Sequence, residues 1–137
     1  MSLSKELQIG KAGEHLVCCD LITQGYNAFL ADQGLPYDVL VDIKGKIYRI
    51  QVKTCTKKST YGKNKDVYRF SLRSSKGSIR AIESIKIDCV AFVFINMKKV
   101  EYLGRHLLTT ELGYLKQCID FKEKGDTKYV IGKYSKF

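Results

Sequence analysis

Apolar residues recur at helical spacing across the first stretch of the chain. Between Leu3 and Gln24, Leu7, Val17 and Leu21 share a face with Leu16 and Ile22 beside them, and Gly25 follows as a residue suited to end a helix. From Tyr26 the period shortens. Tyr26–Leu30, Asp38–Ile43 and Lys46–Thr56 read as strands, the last two joined by Lys44-Gly45 into a tight hairpin. A polar, basic segment with Gly62 in it, from Lys57 to Lys65, reads as an exposed loop. Val67–Leu72 resumes a strand, Arg73–Gly77 is turn-like, and Ile79–Ile87 suits a short helix. Cys89–Ile95 is the most hydrophobic run and predicts a buried strand, which turns at Asn96–Lys99 into an antiparallel edge strand, Val100–Leu103. Thr109–Phe121 is weakly amphipathic, and the basic segment from Lys122 to Phe137 carries no clear period. Helix, three strands, helix and strand predict an α/β fold, of mixed α+β kind, around a small central sheet. With 137 residues the chain has the size of a single domain, 1–137.

The hairpin fixes which side chains meet. If Lys44 and Gly45 form a two-residue turn, Ile43 faces Lys46 and Asp38 falls opposite Gln51. Alternation then puts Val39, Val41, Ile43, Tyr48, Ile50 and Val52 on one face, the core face. Asp38, Asp42, Arg49, Gln51 and Lys53 share the other with Leu40 and Ile47. Opposed side chains have Cβ atoms about 4.5–5.5 Å apart, so Asp38, Gln51 and Lys53 can converge. In the helix, positions 7, 10, 14, 17 and 21 form one stripe, and Glu14 sits in the middle of it. A carboxylate there either escapes to solvent at the edge of the stripe or is held by a partner or ligand. Packing of the helix on Leu40 and Ile47 would deliver Glu14 to the same cluster. Gly10 and Gly13 would then mark where its backbone comes close to the sheet.

Charge changes the picture next. A formal net charge of +10 and a pI near 9.4 point to a polyanionic partner. Of the 24 basic residues, 19 are Lys, which suits point contacts to phosphates better than bidentate reading of bases. No apolar run is long enough for a membrane span and the first nine residues lack a signal core, so a cytoplasmic protein is expected. Five cysteines without a CxxC pair suggest neither a disulfide framework nor a zinc site, and predict reduced, mostly buried thiols. His15 and His106 have no partner that suggests ligation.

Hard oxygen donors beside one ammonium suit a Mg²⁺ ion holding a phosphodiester. The metal would polarise a phosphoryl oxygen and acidify a bound water, while Lys53 orients that water and offsets developing charge. Gly10, Gly13 and Glu14 in the helix, Pro36-Tyr37-Asp38 entering the second strand, and Gln51-Val52-Lys53 in the third resemble the signature of the PD-(D/E)XK nucleases. The likeness spans about residues 5–103 and is greatest to the compact members, archaeal Holliday-junction resolvases and group I intron homing endonucleases. It implies a restriction-endonuclease-like αβββαβ core, Glu14, Asp38, Gln51 and Lys53 as catalytic residues, and a Mg²⁺ site, with Mn²⁺ as a substitute, from Glu14, Asp38, Gln51 and the Val52 carbonyl. It also implies cleavage of double-stranded DNA by a homodimer or homotetramer. Tyr37 between Pro36 and Asp38 is a tolerated spacing, whereas Gln51 replaces the usual acid with a neutral amide and lowers the expected metal affinity.

Lys57, Lys58, Lys63 and Lys65 follow the third strand, so a phosphate backbone is expected there, with Arg73, Lys76 and Arg80 as a second basic group. Three functions fit: a homing or restriction-like endonuclease, a junction-resolving or repair nuclease, and a DNA-binding domain on a nuclease fold that has lost its metal.

Overall fold

The computed structural model describes residues 4–59, 66–72, 85–125 and 128–137. Helix α1 spans Lys5–Thr23, followed by strands β1 (Asn27–Leu30), β2 (Val39–Ile43), β3 (Lys46–Cys55) and β4 (Tyr68–Ser71). Then come β5 (Cys89–Phe94), β6 (Lys99–Gly104), the short helix α2 (Arg105–Leu108) and β7 (Cys118–Phe121). A five-stranded sheet has the order β1-β2-β3-β5-β6, and β4 pairs with β7 in a second, two-stranded sheet. Among the described strands of the large sheet only β3 and β5 run parallel, which makes it mixed.

Helix α1 starts where Ser4 accepts the Leu7 N–H at 3.3 Å and ends before Gly25, whose φ of 101° only glycine adopts readily. It packs Val17 and Leu21 onto Val39, Val41, Ile50, Ala91 and Val93. The expected seat of the helix is therefore corrected: it lies on the Val39–Val41–Ile50 face, not on Leu40 and Ile47. Five aliphatic side chains bury more area than those two, and Ile47 stays 44% exposed. Leu7, expected on the buried stripe, is 59% exposed.

The other face of the large sheet is covered by β4 and β7. Phe70 lies 5.0 Å from Phe92 and 5.3 Å from Phe94, ring centre to centre, and Phe121 packs 5.2 Å from Phe92. Cover on both faces explains why every residue of β5 is buried. The stretch read as a weakly amphipathic 109–121 segment instead ends in β7, whose partner β4 is distant in sequence. The expected short helix at 79–87 lies outside the described residues except for 85–87, which are irregular. The basic C-terminal segment docks on the β6 edge: Tyr102 N–H donates to Tyr134 O at 2.8 Å. Buried Glu101 accepts the N–H groups of Gly132 and Tyr134 at 2.8 and 3.0 Å.

All five cysteines are free, but only Cys89 is buried, its thiol pushed up to about 12 by burial. Cys19 and Cys118 are exposed, so the expectation of mostly buried thiols does not hold. Among the described residues no helix is long and apolar enough to cross a membrane.

Candidate active site

The β2–β3 hairpin has the register read from the sequence, from Ile43 opposite Lys46 to Val39 opposite Ile50. Lys44 and Gly45 have φ of 52° and 88°, both positive as a type I′ turn requires, and Asp42 Oδ1 accepts the Gly45 N–H at 2.9 Å. Asp42 thus serves the turn. At the other end the ladder stops one step earlier than the register alone implies. Asp38 N–H donates to Ile50 O at 2.9 Å, and the Asp38 carboxylate accepts the Val52 N–H at 2.7 Å through Oδ2. The side chain takes the place of the next backbone rung. Because β3 continues to Cys55, its edge beyond Val52 is left uncovered by β2, and side chains from both faces of β3 can reach that gap.

Helix α1 crosses this gap. At Gly13 an added Cβ would run into Thr54 Oγ1, with Thr54 Cβ and Cγ2 at 3.2 and 3.3 Å, so glycine sets how closely the helix lies on β3. The next residue is Glu14. It is half-buried and, with Glu6, Ile9, Gly10, Asp38 and residues 52–56, lines an open cleft of roughly 500 Å³. A contiguous cleft of roughly 260 Å³ shares Glu6, Gly10, Glu14 and Asp38 and runs on between Lys11 and the 30–35 segment.

Burial raises the pKa of Glu14 above the ordinary carboxylate value, and the nearby Asp38 charge raises it further, while Lys11 and His15 pull it down. Burial pushes Lys53 below the usual lysine range, and Asp38 draws it part of the way back. Asp38 is thus the electrostatic centre, coupled to Glu14 on one side and to Lys53 on the other. Two mutually repelling carboxylates beside a partly desolvated ammonium suit a cation plus an anion held together.

A family model for PD-(D/E)XK endonucleases matches residues 4–104. The chain belongs to this family. No curated relative matches it. Among solved structures it is similar to a bacterial homing endonuclease, I-Ssp6803I, at 15% identity and a TM-score of 0.64. That likeness covers 98% of this chain and 85% of the other, and at such identity it speaks for the fold.

The PD-(D/E)XK endonuclease fold brings Glu14, Asp38, Val52 and Lys53 to one cleft. Gln51 is half-buried on the Lys53 face of β3, paired with Val90, and is not among the residues lining either cleft. Lys57 is exposed just past β3, and Lys58 forms an ion pair with Glu123. Lys63, Lys65, Arg73, Lys76 and Arg80 lie outside the described residues. Reading in steps of four back from Glu14 reaches Gly10 and Glu6, and that step would have found Glu6, which sequence reasoning passed over along with Lys11.

The donor set fits a Mg²⁺ ion. Glu14, Asp38 and the Val52 carbonyl, which leaves β3 on the same edge as the N–H bonded to Asp38, are hard oxygens. Among the described residues no three His, Cys, Asp or Glu side chains cluster closely enough to hold a metal by themselves. Mg²⁺ does not require it, since it keeps several waters and needs one or two carboxylates.

Proposed function

We propose that this PD-(D/E)XK endonuclease cuts double-stranded DNA with Mg²⁺, as a homing or restriction-like enzyme, and that Mn²⁺ can substitute. The observation that carries the reading is the convergence of Glu14, Asp38 and Lys53 on one open cleft of a protein with net charge +10. When bound, the metal supplies charge neutralisation at the phosphate and a more acidic water. Glu14 and Asp38 would hold it with the Val52 carbonyl from the strand edge, and Gln51, which precedes Val52 and lines neither cleft, would reach it by turning its side chain. Asp38 is positioned for this by its bond to the Val52 N–H. Lys53 donates hydrogen bonds to a non-bridging phosphate oxygen and to the attacking water, and so aligns the water with phosphorus. The water oxygen–phosphorus bond forms as the water gives up a proton to solvent, the bond to the leaving oxygen breaks, and that oxygen takes up a proton from solvent.

Lys57 and Lys58, with Lys63, Lys65, Arg73, Lys76 and Arg80, supply phosphate contacts. Cutting both strands needs two sites, so the working form is a homodimer or homotetramer, in the cytoplasm where its thiols stay reduced. The predominance of Lys, 19 of 24 basic residues, favours reading DNA by its shape and keeps a junction-resolving role as the second reading.

The test is cleavage of supercoiled plasmid and of a four-way junction in Mg²⁺, Mn²⁺ or EDTA, with Lys53→Ala alongside. Metal-dependent cutting that the variant loses supports the enzyme, and the preferred substrate separates its two forms. DNA binding with no cut in either metal would leave a binding domain instead.

A further inference from the structure

Among the described residues nothing in the fold requires position 10 to be glycine. It lies inside α1, where glycine weakens a helix relative to alanine, and its φ is not positive. A Cβ built there meets no atom of the described residues within 4 Å, in contrast to Gly13. The expectation that both glycines admit the sheet is thus right for Gly13 alone. Gly10 does line both clefts, at the wall they share with Glu6, Glu14 and Asp38. Lys53 stands in one cleft and Lys11 in the other. Lys11 is half-buried, and no ion pair or hydrogen bond among the described residues holds its ammonium.

We propose that one strand of the nucleic acid runs through both clefts with its sugar–phosphate backbone against the bare Cα of Gly10. The scissile phosphate then sits by Asp38 and Lys53, and the neighbouring phosphate meets Lys11. This rests on the nuclease reading and adds the path of the strand. Gly10 acts as a positioning residue. A methyl group there displaces the strand, and a misplacement of about 1 Å at a reacting centre costs on the order of a hundredfold in rate.

Wild type, Gly10→Ala, Lys11→Gln and Lys53→Ala are compared by melting temperature, by affinity for a short fluorescent duplex in Ca²⁺, and by single-turnover plasmid cleavage in Mg²⁺. Gly10→Ala should melt higher, bind more weakly and cut roughly ten- to a hundredfold more slowly. Lys11→Gln should bind more weakly with a salt slope shallower by about one. A more stable Gly10→Ala that binds and cuts like wild type overturns the proposal, as does a less stable one, which would make the glycine structural. An unchanged affinity and salt slope in Lys11→Gln overturns the path. If wild type does not cut, the nuclease reading fails, and the affinities of the two variants still decide the path.

Discussion

Alanine at Gly13 should do the opposite of alanine at Gly10. The new Cβ runs into Thr54 Oγ1, and turning the Thr54 side chain to present its hydrogen still leaves the two Cβ atoms at 3.2 Å. Thr54 is β-branched and sits in a strand, so few rotamers are open to it. Overpacking costs about 1–3 kcal/mol, and contact with three atoms of one β-branched side chain puts this case in the upper part of that range, about 2–3 kcal/mol. Helix propensity returns at most about 1 kcal/mol, so the net loss is about 1–2 kcal/mol. For a chain of this size that lowers the melting temperature by roughly 3–8 °C. Glu14 is the next residue, so the same displacement carries it away from Asp38, and cleavage should fall more than stability does. Thr54→Ala removes Oγ1 and Cγ2 and should recover part of the stability, with a coupling of about 1 kcal/mol in a double-mutant cycle. Urea unfolding followed by circular dichroism in EDTA reads the four proteins. A Gly13→Ala variant more stable than wild type, or additive with Thr54→Ala, would show that the helix does not lie as closely on β3 as described.

The remaining predictions concern charge. Glu14 has a folded pKa above its ordinary value of 4.5, so its contribution to stability is fully present below that value and is lost as pH rises through the folded pKa. Glu14→Gln should therefore be inactive yet more stable than wild type at pH 7 without metal, an advantage that shrinks by pH 4. Urea midpoints at the two pH values check the sign, and a less stable variant at pH 7 would refute it. Gln51→Ala should raise the Mg²⁺ concentration for half-maximal cleavage by about ten- to a hundredfold. No change in a metal titration removes Gln51 from the site. Glu123→Ala frees Lys58 and should tighten duplex binding at low salt, a gain that disappears near 1 M salt, where the screening length is about 3 Å. An equal gain at both salt concentrations would count against an electrostatic origin.

How much was legible in the sequence follows from how local each feature is. The β2–β3 register was readable because two turn residues with positive φ set the pairs from Ile43–Lys46 to Val39–Ile50, though not the expected pair of Asp38 with Gln51. The seat of α1 was not, because a helix chooses between the faces of a sheet by the total apolar area each offers, and β5 adds Ala91 and Val93 to the face opposite Leu40. Glu14 still reached Asp38 by a route the sequence did not suggest, through the gap where β2 ends and β3 continues. The partnership of β4 with β7 depends on aromatic packing between segments far apart in the chain, which no periodicity records. Gly10 and Gly13 look alike in sequence, and only the neighbours of each distinguish them.

The bond between Asp38 and the Val52 N–H bears on how such a site would decay over evolutionary time. Replacing Glu14 or Lys53 with a neutral residue relieves the burial of a charge, so a lineage released from selection for cutting can lose either one without harm to its fold. Losing the Asp38 side chain leaves a strand N–H without its acceptor, at a cost of about 1–3 kcal/mol where the group is buried. Inactive descendants that persist as DNA-binding proteins should therefore keep an acceptor, Asp or Asn, at position 38 after the lysine and the helix glutamate are gone.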